Sequence, residues 1–176
     1  MRDPARPARR RGVVLLAGAL IGVMGLAEAR PGVCYLDPGG AFDRATDDGQ
    51  VRDAIHRYNA AVLAMDADAI AGWYLPTGEM WNGDTLARRG PEAIRTFLKS
   101  FDGQVRVESQ ELTIDRVTWQ DDRAVVETHY QQRARVVATQ ALVTAEGRLR
   151  FEWARDEGGT WRIARATTVP DPARAP

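Results

Sequence analysis

The stretch LRFEWARDEGGTWRIARAT, residues 149–167, constrains the fold more than any other part of this 176-residue chain. Leu149, Phe151 and Trp153 alternate with Arg148, Arg150 and Glu152, and successive side chains of a strand point to opposite faces. The pattern calls for a sheet with one buried and one wet face. Asp156-Glu157-Gly158-Gly159 supplies turn residues, so a second run over about 160–168 returns antiparallel to the first. Trp161, Ile163 and Arg165 then share a face, the first two buried. Arg165 is expected either to pair with Glu79 or Asp84 at a cavity mouth or to lay its alkyl stem over the sheet edge.

Three β-rich runs come before that return: about 105–119 and 123–137, separated by Asp121-Asp122, and 147–155. Ahead of Gly103 the spacing is helical. Val51, Ala54, Ile55, Tyr58, Ala61, Val62 and Met65 recur in steps of three and four and define one apolar face, with Asp47-Asp48-Gly49-Gln50 as its capping signal. Asp66 caps a short second helix carrying Ile70, Trp73 and Tyr74, which Pro76 closes. Asn82-Gly83, between 79–81 and 85–87, marks a hairpin. Gly90-Pro91-Glu92 opens a third helix with Ile94, Phe97, Leu98 and Phe101 on its buried face. Helices first and strands afterwards predict an α+β domain over 47–169, three helices packed on a curved, mostly antiparallel sheet.

The N-terminus reads differently. MRDPARPARRR carries five arginines, residues 12–27 are 16 uncharged and mostly apolar positions, and Ala27-Glu28-Ala29 fits a signal peptidase. A 16-residue helix spans roughly 24 Å, short of the roughly 30 Å hydrocarbon core. Residues 1–29 are therefore expected to be a signal peptide that exports the chain to a periplasmic or extracellular space. The alternative is an uncleaved signal that anchors it to the membrane. Residues 30–46 read as a linker or irregular arm, and 170–176 as a loose tail.

Charge and composition exclude several classes. The segment 1–29 takes 5 of the 24 basic and 2 of the 24 acidic residues, leaving 19 and 22 in the mature chain. That slight acidity argues against a nucleic-acid partner, and no membrane contact is expected once the signal is removed. The lone cysteine, Cys34, cannot form an internal disulfide. With two histidines in the chain, little is left from which to build a metal site. No phosphate-binding loop, dinucleotide fingerprint or nucleophile elbow occurs, and no cofactor is expected.

The helix IHRYNAAVLAMDADAI, the entry RRGPEAIRTFL and the closing hairpin together resemble the nuclear transport factor 2-like superfamily, nearest its SnoaL-like and ketosteroid-isomerase-like branches. The resemblance covers about residues 50–169. It implies a cone whose sheet and helices enclose an apolar cavity. Members include isomerases, dehydratases, polyketide cyclases and domains with no known chemistry, so the fold assigns no activity. Tyr58 falls where steroid-isomerase-like members keep an oxyanion-binding tyrosine, a protonated phenol able to donate to a developing enolate. Its other reading is a core residue with a polar tip. The family's base position lands on Asn82, and an amide cannot take a proton. Asp84 or Glu79 would have to replace it, although the Asn-Gly turn aims Asp84 at water.

Trp73, Trp81, Thr128, Tyr130, Trp153 and Arg165 are the remaining pocket candidates. His129 alternates with Thr128 and Tyr130 and is expected to point outward, and His56 lies on the polar side of its helix. Three functions follow. The preferred one is an exported domain holding a small apolar molecule in its cavity. The others are an isomerase, dehydratase or cyclase using Tyr58 as oxyanion donor with Asp84 as base, and an interaction module. Sheet-mediated homodimers are common in the superfamily, and Glu127, Arg133, Arg135 and Glu152 would supply such a surface.

Overall fold

The computed structural model describes residues 44–170. The expected signal peptide, Cys34 with most of its arm, and the tail after Pro170 lie outside the described residues.

The chain runs through α1 (Arg44–Leu63), α2 (Ala67–Gly72), β1 (Tyr74–Asn82), β2 (Thr85–Arg89), α3 (Pro91–Lys99), β3 (Val105–Gln120), β4 (Arg123–Val136), β5 (Leu142–Arg155) and β6 (Trp161–Pro170). The six strands form one open sheet in the order β2-β1-β6-β5-β4-β3. All neighbours are antiparallel except β1 and β6. The fold is α+β, helices first and a mostly antiparallel sheet after, as the sequence predicts.

α1 buries the expected face. Val51, Ala54, Ile55, Tyr58 and Ala61 are all in the core. The helix already includes residues 44–46, which the sequence places in the arm, and Asp47 sits inside it rather than capping it. Asp47 is 4% exposed and pairs with Arg155 at the end of β5. Its carboxylate therefore serves a tertiary ion pair instead of free backbone N–H groups. α1 ends with Met65 in the left-handed region at φ 55°, and the Asp66 amide reaches back to the Ala61 carbonyl, the wrapped geometry common at helix ends.

Asp66 caps α2, accepting a hydrogen bond from the Ala69 amide at 2.9 Å. This helix is shorter than expected, because Trp73 closes it and Tyr74 opens β1. The Ile163 amide bonds the Trp73 carbonyl, and Tyr74 pairs with Ile163. Long-range parallel pairing thus captures residues whose local pattern is helical. The Asn82–Thr85 hairpin forms as predicted, with Gly83 at φ 53°. In α3, Ile94 and Leu98 face the core.

One sequence expectation about face is overturned. Trp153 pairs with Ile163, but its neighbour Glu152 pairs with Arg165, which leaves Ala164 as an extra residue in β6. This β-bulge shifts the alternation by one. Trp161 and Ile163 stay inside, Ala166 takes the next inward place, and Arg165 turns to the outer face.

The core lies between α1, α2 and the inner sheet face. Trp153 packs edge-on against Trp73 at 6.0 Å and tilts against Phe151 at 5.8 Å, and Trp119 meets Trp161 at 5.6 Å. Among the described residues no helix is long and apolar enough to cross a membrane.

Candidate functional site

Beneath α1 the sheet leaves a cavity of about 60 Å³. A water needs at least about 10–15 Å³ of such space, so it holds a short cluster of waters or a fragment of roughly four to six heavy atoms. Tyr58 and Val62 form its helical wall, facing Tyr74 and Met80 of β1. Gln110, Tyr130, Gln132 and Leu149 line it from β3, β4 and β5, and Ala166 and Thr168 close it from β6. The wall is mixed: aliphatic groups sit among three phenols, two amides and a hydroxyl.

Each polar group is placed by the sheet's alternation. Thr128, Tyr130 and Gln132 occupy successive inward positions of β4, while Glu127, His129, Gln131 and Arg133 face out. Thr128 is buried and donates to the Leu149 carbonyl at 2.7 Å. Gln132 donates from Nε2 to Gln110 Oε1 at 2.8 Å.

The two facing tyrosines are the electrostatic centre of the site. Tyr58 and Tyr74 are both buried. Burial raises the Tyr58 pKa, partly countered by its interaction with Tyr74. Burial raises Tyr74 well above the ordinary phenol value, and the adjacent Tyr58 adds to the rise. Both hydroxyls are therefore neutral donors at physiological pH. The hydroxyl–hydroxyl contact that couples them falls short of full hydrogen-bond geometry at Tyr74 Oη. A buried hydroxyl so poorly met is costly. The Tyr58 ring itself packs edge-on against Phe151 at 5.3 Å.

Of the candidates drawn from sequence, the cavity brings together only Tyr58 and Tyr130. Thr128 lies beside it with its hydroxyl already committed. Trp153 is fully buried in the core, and Trp73 packs on it at the α2–β1 junction. Arg165 lies on the outer face because of the bulge, and Trp81 joins it there by alternating with cavity-lining Met80: Trp81 Nε1 donates to Glu79 at 2.8 Å, and Arg165 pairs with Glu79 at 3.1 Å while stacking over the Trp81 ring. The expected Glu79–Arg165 pair thus forms, but away from the cavity. Asp84 is exposed in the β1–β2 turn and cannot serve as a base inside. Tyr74, Gln110, Gln132 and Thr168 were not foreseen. The alternation that selected Thr128 and Tyr130 would also have selected Gln132.

On the outer sheet face His129 bonds Asp115 at 2.7 Å, Arg116 pairs with Glu127 at 2.7 Å, and Arg135 with Glu108 at 2.6 Å. His56 is exposed. A larger recess of about 680 Å³ lies outside the domain between Pro76, the end of β2 and α3, where Arg88 stacks over Phe97 at 4.4 Å. It is an open groove, and none of the side chains lining it has a buried polar atom without a partner; Arg95, behind it, pairs with Asp68 and Glu92. Among the described residues no group of three or more His, Cys, Asp or Glu side chains is placed to hold a metal ion.

The model of the SnoaL-like domain family matches residues 43–167. No functionally curated protein matches the chain by sequence. Among solved structures, a ketosteroid isomerase-like protein from Erwinia carotovora atroseptica superposes with a TM-score of 0.63 at 20% identity, covering 71% of this chain and 96% of that one. A protein from Novosphingobium aromaticivorans named as a candidate scytalone dehydratase gives 0.62 at 10% identity, covering 73% and 87%. Another from the same species, named as a candidate aromatic ring hydroxylase, gives 0.61 at 21%, covering 73% and 92%. At these identities the likeness is one of fold.

Proposed function

The chain belongs to the SnoaL-like domain family, and from that premise we propose that it binds a small, largely apolar, uncharged molecule in the cavity beneath α1. Tyr58 and Tyr74 direct their hydroxyls at an oxygen of the guest, and Val62, Met80, Leu149 and Ala166 enclose its carbon skeleton. The observation that carries this reading is the Tyr74 hydroxyl, buried at the cavity wall with only a poorly aligned contact to Tyr58. Native proteins rarely leave such a group unmet.

Binding is better supported than turnover. No residue lining the cavity is a carboxylate, an imidazole or a lysine, and both central phenols stay protonated at neutral pH. The wall can polarise a carbonyl but has no group to take a proton from carbon. Neighbours named for dehydratase or hydroxylase chemistry therefore lend the fold, not the reaction.

Ligand-observed NMR with cyclopentanone and cyclopentane tests the reading. The ketone should bind at least about tenfold tighter, since a buried donor rejects a guest that leaves it unpaired. Equal binding of both, or of neither, contradicts it.

A further inference from the structure

We infer that Gln132 fixes the chemical class of the guest: it carries a hydrogen-bond donor as well as an acceptor, as a hydroxyketone or a lactam does. This rests on the binding reading above and adds a second polar end to it.

Gln132 is 2% exposed and faces inward from β4. Its single amide bond, Nε2 to Gln110 Oε1 at 2.8 Å, spends a donor and leaves the carbonyl oxygen unused. That Oε1 is buried, has no partner, and belongs to a side chain lining the cavity. Asn59 Nδ2 of α1 donates to the Gln110 backbone carbonyl at 3.3 Å, which ties the helix to β3 beside the amide pair. An amide oxygen can only accept.

The cavity therefore offers two groups of opposite sense that lack a well-formed bond, the Tyr74 hydroxyl, met only by a poorly aligned contact with Tyr58, and the Gln132 oxygen. A hydrocarbon leaves both unmet. A plain ketone satisfies the phenol and leaves the amide oxygen buried and bare. A neutral molecule with one C=O and one O–H or N–H satisfies both. Carboxylates and ammonium ions are disfavoured, because no lining side chain carries a compensating charge and an unpaired buried ion is far costlier than a dipole.

The test is a titration of the full chain with cyclopentanone, 4-hydroxybutan-2-one and 2-pyrrolidinone, followed by protein-observed NMR, in wild type and in Gln132→Met. At least one donor-bearing probe should bind about tenfold or more tighter than cyclopentanone, and Gln132→Met should erase that preference while still binding cyclopentanone. Should Gln132→Met fail to fold, Gln110→Met/Gln132→Met replaces both partners of the amide bond by apolar groups, a change often nearly neutral. Equal affinity for all three probes in wild type overturns the role of Gln132 and leaves the binding reading standing. So does a preference that survives the substitution. If no probe binds, both fall together.

Discussion

Tyr74, the first residue of β1, presents its hydroxyl toward Tyr58 of α1 across a cavity wall where both rings are buried, 3% and 7% exposed. The helix–sheet contact thus carries two phenols whose protons are held by burial, and their mutual contact leaves the Tyr74 hydroxyl without a bond of full hydrogen-bond geometry. Tyr74→Phe separates function from packing. Because the hydroxyl is unsatisfied, its removal should change stability by less than about 1 kcal/mol, or raise it slightly. Affinity for cyclopentanone should drop about tenfold or more. Urea unfolding and NMR titration read the two effects. A stability loss above about 2 kcal/mol with binding intact would assign the hydroxyl to the core.

Asp47 and Arg155 tie the start of α1 to the end of β5. Arg155 also donates to the Gly159 carbonyl at 2.6 Å and lies over the Trp161 ring at 4.7 Å. Arg155→Ala leaves the buried Asp47 carboxylate alone and should cost about 3 kcal/mol, at the lower end for a buried pair because the guanidinium is partly exposed. The double variant Asp47→Asn/Arg155→Ala should recover part of that loss, a coupling visible in a double-mutant cycle by chemical denaturation. Strict additivity would mean that the pair contributes nothing.

Glu79 gathers Trp81 Nε1, Arg89 and Arg165 around one carboxylate. The Trp81 hydrogen bond, then the two arginines, hold its pKa below the usual 4.5. A carboxyl depressed in the folded state adds stability that is present above about 4.5 and disappears as pH falls through the lower folded value. Glu79→Gln should therefore be less stable than wild type at pH 7, by about 1 kcal/mol for a partly exposed network, and the gap should close below pH 4.5. A constant gap from pH 7 to pH 3, measured by thermal or urea unfolding, would show that charge is irrelevant there.

Gly78 lets β1 run close to β6. A methyl group at this position would meet the Ile163 carbonyl oxygen at 2.7 Å and the Leu75 backbone at 3.0 Å, atoms that cannot move aside without shifting a strand. Gly78→Ala should destabilise by about 2 kcal/mol. A neutral result in denaturant would mean that β1 yields at no cost.

What was legible in the sequence follows from the range of the forces involved. Period-two alternation revealed Leu149, Phe151 and Trp153, and helical spacing revealed the α1 face, because both patterns are local. The α2–β1 boundary was misread at Tyr74, since only parallel pairing with Ile163, far along the chain, makes that residue a strand. The extra Ala164 in β6 is invisible to a count of twos, and it moved Arg165 to the outer face. Half of the polar lining was within reach: Tyr58 and Tyr130 were found, and Gln132 sat two positions further along the same face. Tyr74 and Thr168 were not, since they join the cavity only when β1 docks beside β6.

Methyl-resolved NMR of the full chain during a cyclopentanone titration shows whether a guest is enclosed beneath α1. Saturable shifts should concentrate at the methyls of Val62, Met80, Leu149 and Ala166, and should be lost in Tyr74→Phe at the same ligand concentration. Shifts confined to Ala93 and Thr96 in the outer groove, or no shifts at all, would contradict the account.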